Sequence, residues 1–194
     1  MHRIKNFFSR TFSGLVERDP NFIQMRLYVK SITPEFETSL KEKIEHNILQ
    51  ADVREALEED IGSLIHLHDL AWHSTPMPYR PLKKNSIFNL LNDPTIVFLI
   101  AKVKGEDSGF ALIYFTGEEK RIGVIAGMGI IPDLQRKGLG TILGLAAWNY
   151  FKEKGLKELR CEVYKDNQKS HNFIMGLNFE EFGKKIYRKE DFEL

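Results

Sequence analysis

The chain has 194 residues, 42% of them hydrophobic, and a formal net charge of +1 at pH 7. That is enough for one well-buried core with room for an appended subdomain, and the near-neutral charge offers no electrostatic case for nucleic acid. The single cysteine, Cys161, excludes an intrachain disulfide framework and a cysteine-rich zinc site. No apolar run reaches the roughly 18 to 20 residues of a membrane span, and no secretory signal is recognisable, so a soluble, cytoplasmic, reducing setting is expected.

Residues 2–18 set Ile4, Phe8, Phe12 and Leu15 at near-helical spacing among Arg3, Lys5, Arg10 and Arg18. This reads as a helix docked on the domain or a frayed terminus, with a membrane-surface or partner-binding helix as the alternative. Residues 22–30 read as a strand. Pro34 then suits a first helical turn, and Phe36, Leu40, Ile44 and Ile48 follow at four-residue spacing. Together these form an expected N-terminal extension over 1–48, ahead of a main domain over 49–194.

The main domain opens with a short strand over 49–56. Asp60 follows as the expected N-cap of a helix carrying Ile61, Leu64, Ile65, His68 and Ala71. That helix runs out in the 72–79 loop, where Pro76, Pro78 and Pro81 forbid regular helix. A second short helix is predicted over 84–91. Three strand-like runs, 95–101, 109–115 and 121–131, are joined by short turns, which predicts antiparallel pairing. A helix then continues to Lys154 and stops at Gly155. A strand over 156–163, a helix capped by Asp166 or Asn167, and a last strand over 179–188 complete the chain. This order predicts an α/β protein, with a mixed sheet and helices on both faces.

The run 127–141, Gly-Met-Gly-Ile-Ile-Pro-Asp-Leu-Gln-Arg-Lys-Gly-Leu-Gly-Thr, joins a β-branched segment to an apolar-periodic one. A glycine turn that opens a helix leaves several N–H groups without intrahelical partners, backed by the positive end of the helix dipole. Such a turn suits phosphate. Gly138 and Gly140 allow close approach to the backbone, and Gln135, Arg136 and Lys137 add polar and cationic groups at the mouth. The stretch therefore proposes a pyrophosphate-bearing ligand. It is neither Gly-x-Gly-x-x-Gly, since position 143 is Leu, nor a nucleotide triphosphate loop.

Histidines suggest no metal. His66 and His68 would lie about 200° apart on a helix, and Asp69 with His73 supplies only two ligands. Cys161 reads as a buried, inert thiol.

Gln135-Arg136-Lys137-Gly138-Leu139-Gly140 resembles the Gln/Arg-x-x-Gly-x-Gly/Ala motif of the GCN5-related N-acetyltransferases, the GNAT superfamily. Ile130-Ile131-Pro132 resembles the Val-x-Pro that usually precedes it. Val163, Asn167, Ser170, Phe173 and Phe179 resemble the second conserved block, and the likeness runs over about 49–188.

The resemblance implies a mostly antiparallel mixed sheet with splayed central strands. It also implies acetyl-coenzyme A as donor co-substrate, and an N-acetyltransferase that moves acetyl to a primary amine of a protein, peptide or small molecule by direct attack in a ternary complex. A catalytically silent acyl-coenzyme A-binding module, regulatory or scaffolding, is the alternative. Coenzyme contacts carry over to Gln135, Arg136, Lys137, Gly138, Leu139, Gly140 and Thr141 for the pyrophosphate. The backbone of Met128 and Ile130 takes the pantetheine, Asn167 and Ser170 lie at the next helix, and the Met128 main chain polarises the thioester carbonyl. Trp72, Tyr79 and Tyr164 are the acceptor candidates. The base must come from the cleft between the splayed strands. Glu162 is the first choice, with Glu118 and Glu119 as other carboxylates nearby. The family's usual tyrosine acid falls on Ile174, so no acid is assigned, and Asn178 replaces a glycine. The expected partner is an amine acceptor, with homodimerisation left open and neither nucleic acid nor a membrane span expected.

Overall fold

Period-two burial organises the protein. Seven strands, β1 (Asn21–Tyr28), β2 (Asp52–Glu55), β3 (Ile96–Val103), β4 (Glu106–Thr116), β5 (Ile122–Ile130), β6 (Glu158–Tyr164) and β7 (Glu180–Ile186), form one sheet in the order β2-β3-β4-β5-β6-β1-β7. Every neighbouring pair is antiparallel except β5 with β6. The computed structural model describes residues 21–45, 49–77 and 81–186; residues 2–18 and Tyr79, to which the sequence assigns roles, lie outside these.

Among the described residues five helices cover the sheet: α1 (Pro34–Glu45), α2 (Ile61–His73), α3 (Lys84–Leu91), α4 (Leu139–Lys152) and α5 (Gln168–Gly176). Ile96, Phe98 and Ile100 of β3, with Phe110 and Leu112 of β4, pack against Leu64 and Leu67 of α2 and Ile87 and Leu90 of α3. The alternate residues Val97, Leu99, Ala101, Ala111 and Ile113 point to the other face, against Leu139, Leu143, Ala147 and Phe151 of α4. Both faces of the central strands are dry, so these segments read as unbroken apolar runs rather than alternating ones. Phe151, Leu143 and Ile113 are wholly buried, each contributing about 1.5–3 kcal/mol of apolar transfer. No helix among the described residues is long and apolar enough to cross a membrane.

The turn between β3 and β4 is built from Lys104 at φ 54° and Gly105 at φ 84°. Two successive positive φ values match the twist of the flanking strands, which accounts for the tight hairpin. Asp60 stands before α2 as expected but makes no capping bond. Its carboxylate accepts two bonds from Arg54, at 2.7 and 2.8 Å, and one from the Leu57 N–H at 2.7 Å. A bidentate, charge-assisted pair outcompetes a cap, and the Arg54 guanidinium holds the Asp60 carboxyl below its ordinary pKa.

β1 is an interior strand. Its register runs from Phe22↔Tyr164 to Tyr28↔Glu158 on β6, and from Asn21↔Ile186 to Arg26↔Glu180 on β7. Met25 is fully buried, and Phe22 and Leu27 nearly so. The strand read as part of the extension thus sits within the sheet of the main domain.

Candidate active site at a splayed strand edge

Two departures from regular pairing create the site. β5 pairs with β6 only from Ile122↔Glu158 to Ile125↔Cys161. Beyond that point Glu162, Val163 and Tyr164 pair with β1, and among the described residues the last part of β5 keeps β4 as its only strand neighbour. The second departure is a bulge: Leu112 lies opposite Gly127 while Ile113 lies opposite Ile125, leaving Ala126 extra. Ala126 packs with the α2 cluster, and a side chain at Gly127 would meet Trp72 of the same helix. Two neighbours therefore share one face, and Met128 and Ile130 are shifted to the α4 face, where they pack. A bulge also bends its strand and raises the local twist, which separates β5 from β6.

The open edge has a defined polarity. Ile131 N–H donates to Ser108 O on β4 at 3.1 Å. With period two, the backbone groups of Met128 and Ile130 then face the gap. Ile130 O is already engaged, because Gln135 Nε2 donates to it at 3.1 Å and to Ser74 Oγ at 2.8 Å. Gln135 was expected at the mouth of the turn. Its side chain instead ties the end of β5 to the end of α2, leaving the Met128 amide and carbonyl and the Ile130 N–H along the edge.

The turn that follows is strained in a useful way. Arg136 has φ 59°, and Gly138, the N-cap of α4, has φ 89°. The first helical bonds run from Thr141 and Ile142 N–H to Gly138 O. The amides of Lys137, Gly138, Leu139 and Gly140 therefore precede the ladder, at the positive end of a 14-residue helix. A Cβ on Gly140 would lie 3.2 Å from Phe173 of α5 and 3.3 Å from Ile130, so the start of α4, the second half of α5 and the end of β5 meet here. At α5, the Asn167 side chain caps the helix by accepting from Ser170 N–H at 3.2 Å, which leaves its Nδ2 for a ligand. These groups fit a coenzyme A: an amide cradle for the pyrophosphate, then a free strand edge for an amide-bearing arm.

On the α2 face, His68 stacks on Trp72 with ring centroids 4.4 Å apart, and Trp72 stacks on Phe110 at 6.2 Å. Burial holds the His68 imidazole at a pKa of about 4. Glu162 lies just beyond the splay, where its carboxylate accepts from Gln24 Nε2 at 3.3 Å and meets Lys185 Nζ at 3.4 Å. Tyr114 of β4 is half-buried, and its hydroxyl is pushed up to about 12, chiefly by burial and then by the negative charge of Glu162. Tyr164 is nearly buried and edge-on to Phe22 at 5.7 Å. Glu118 and Glu119 stand in the turn before β5, at the opposite end of the strand from the gap, and Glu119 pairs with Arg121. Cys161 is buried at the last β5–β6 pair, and burial raises its thiol to about 12. Ile174 faces the core.

The site thus gathers Met128, Ile130, Gly138, Gly140, Asn167 and Trp72 around one gap and leaves Glu118 and Glu119 outside it. Three features of the site escape the sequence. Nothing local marks Arg136 for a left-handed backbone, Gln135 finds Ser74 across 61 positions, and Tyr114 reads as one more apolar-strand aromatic.

Comparison with known proteins follows the same lines. The family model described as "Acetyltransferase (GNAT) family" matches residues 64–179, more than half of the chain. A mycothiol acetyltransferase of Rhodococcus jostii (strain RHA1) is 36% identical over 66 residues, 34% of this chain and 22% of that protein. That of Rhodococcus opacus (strain B4) matches over the same shares, so the chain spans only 22% of the length of these curated relatives. Among solved structures, an aminoglycoside N-acetyltransferase in complex with coenzyme A superposes with a TM-score of 0.60 at 18% identity, covering 72% of this chain and 93% of that one. An aminoglycoside 6'-N-acetyltransferase from Acinetobacter baumannii gives 0.61 at 17%, covering 71% and 96%. At such identities the superpositions establish the fold, and the family match goes further: the chain belongs to the acetyltransferase (GNAT) family.

Proposed function

We propose that this chain transfers an acetyl group from acetyl-coenzyme A to a primary amine on a small molecule, by direct attack within a ternary complex. The observation that carries the reading is the open edge of β5 beyond Ala126, set beside the amide cradle that begins α4. In this reading the amides of Lys137 to Gly140, with the Arg136 and Lys137 side chains, hold the pyrophosphate, the Thr141 amide being spent on Gly138 O. Met128 and Ile130 pair with the pantetheine arm, and Asn167 Nδ2 donates to it. The Met128 N–H donates to the thioester carbonyl and to the oxyanion that develops there.

The amine enters from the α2 face. An alkylamine is mostly protonated at neutral pH, so it must lose a proton before attack. Glu162, directly or through a water, takes it. The nitrogen lone pair forms the C–N bond, the C–S bond breaks, and the thiolate leaves with the electron pair. Ile174 is buried and offers no hydroxyl, so the thiolate takes its proton from solvent. The relatives' names, mycothiol and aminoglycoside acetyltransferases, favour a small-molecule acceptor over a protein one. A lone cysteine, held as a buried thiol, favours a reducing cytoplasmic setting.

The test is thiol release from acetyl-coenzyme A across a panel of primary amines, with Gly138→Glu as control. At φ 89° a side chain is strained, and a carboxylate there repels phosphate, so coenzyme binding should vanish. Retained affinity in Gly138→Glu would refute the cradle. Tight coenzyme binding with no release on any amine would instead favour a silent binding module.

A further inference from the structure

Four residues beyond the bulge decide where the acyl group can lie. Once the thioester carbonyl sits against the Met128 N–H, the chain beyond it must turn to one face of β5 or the other. The α4 face is filled by the Met128 and Ile130 side chains, which pack on the main core. On the α2 face only glycines stand at the edge, and they differ. A Cβ on Gly129 would lie 2.5 Å from Phe110 and 2.9 Å from the Ala71 Cβ, so helix and sheet already close that position. A Cβ on Gly127 would meet one heavy atom within 4 Å, Trp72 Cη2, at 3.7 Å.

Neither packing nor backbone geometry therefore demands glycine at 127. Its φ lies outside the left-handed region, and a methyl there would make an ordinary van der Waals contact. Glycine within a strand weakens it. What glycine provides at 127 is space next to the reacting edge, walled on one side by the Trp72 indole. That wall is held from behind by the stack on His68 and Phe110.

We propose that the space over Gly127 is an acyl-group subsite, in which the missing side chain at 127 and the edge of Trp72 together set the length of acyl chain accepted. The subsite is apolar and short, so it suits an unbranched acyl group such as acetyl or propionyl and rejects longer ones at the indole. The inference rests on the acetyltransferase reading for the placement of the thioester.

The test uses calorimetric titration of the full chain with coenzyme A, acetyl-, propionyl- and butyryl-coenzyme A. Wild type should bind acetyl- and propionyl-coenzyme A with similar affinity. Gly127→Val, or the milder Gly127→Ala should the valine variant fold poorly, should keep coenzyme A affinity and thermal midpoint. Either should weaken propionyl- relative to acetyl-coenzyme A, by about tenfold or more for valine, the scale one misplaced methylene commands. Trp72→Phe keeps the stack but shortens the wall, and should admit butyryl-coenzyme A. Unchanged propionyl binding in Gly127→Val overturns the subsite while leaving the acetyltransferase reading intact, and so does an equal loss for every ligand including coenzyme A. Failure of wild type to bind coenzyme A at all would sink both.

Discussion

His68 makes the stability of the fold depend on pH in a calculable way. It lies on α2 at 3% exposure, stacked on Trp72. Burial lowers its pKa from 6.5 to about 4, a shift opposed by Asp69, whose carboxylate is 3.6 Å from Nδ1, and reinforced by His73. The folded imidazole is thus neutral down to about pH 4, while the unfolded chain takes up a proton near 6.5. Below 6.5 the unfolded state binds more protons, so stability present above that pH is lost as pH falls, and the loss is complete below the folded value. At pH 5 it amounts to about 2 kcal/mol relative to pH 7, rising to about 3 kcal/mol below pH 4. For a protein of this size, 2 kcal/mol is roughly 4–8 °C in the thermal midpoint. The assay is urea denaturation at pH 7 and pH 5 for wild type and His68→Phe, which keeps an aromatic against Trp72 and cannot titrate. The difference between the two proteins should grow by about 2 kcal/mol in favour of the variant on going to pH 5. Equal losses, or an imidazole resonance titrating near 6.5, would refute the argument.

Gly129→Ala should destabilise the chain by about 1–3 kcal/mol, because its methyl overlaps Phe110 and Ala71 and must lift α2 from the sheet; wild-type stability in denaturant would show that this contact yields freely. Glu162→Gln should lower kcat/KM for the amine by about 10²-fold or more, the contribution of a positioned base, with coenzyme A affinity unaltered. A loss that higher pH fully restores would assign Glu162 a pH-conditioning role, and no loss would remove it as the base.

Much of the fold could be read from the residues because its cues are local. Lys104-Gly105 forces a hairpin, Gly155 adopts φ 64° at the end of the α4 region, and Asn167 caps α5 as its residue type suggests. The phosphate turn is legible for the same reason, since Gly138 carries its own conformational demand. Asp60 shows where local reasoning fails: its cap is lost to Arg54, six positions earlier on β2. The bulge at Ala126 is harder still. Ile125, Ala126 and Gly127 would satisfy a regular strand equally well, and only pairing with Leu112 and Ile113 makes one residue surplus. That single surplus determines which side chains face α2 and which face α4. The surroundings of Trp72 are illegible for a different reason, because the Trp72–Phe110 stack and the Gln135–Ser74 bond are contacts between elements.

The place of β1 has a consequence for how the protein comes together. β1 comes first among the described strands yet lies between β6 and β7, the last two of them in sequence, and among the described residues it is the only strand bonded to β7. During synthesis it must wait for its partners until β6 and β7 have emerged. The β2-β3-β4-β5 hairpins and α2 to α4 close on themselves from neighbouring residues and can form meanwhile. Loop-closure entropy makes such long-range pairing slow. One wall of the gap is therefore ready early, and the other, with Glu162, is completed only when β1 meets β6. Shortening the chain up to Tyr28 would remove the keystone of the second half-sheet rather than trim an appendage.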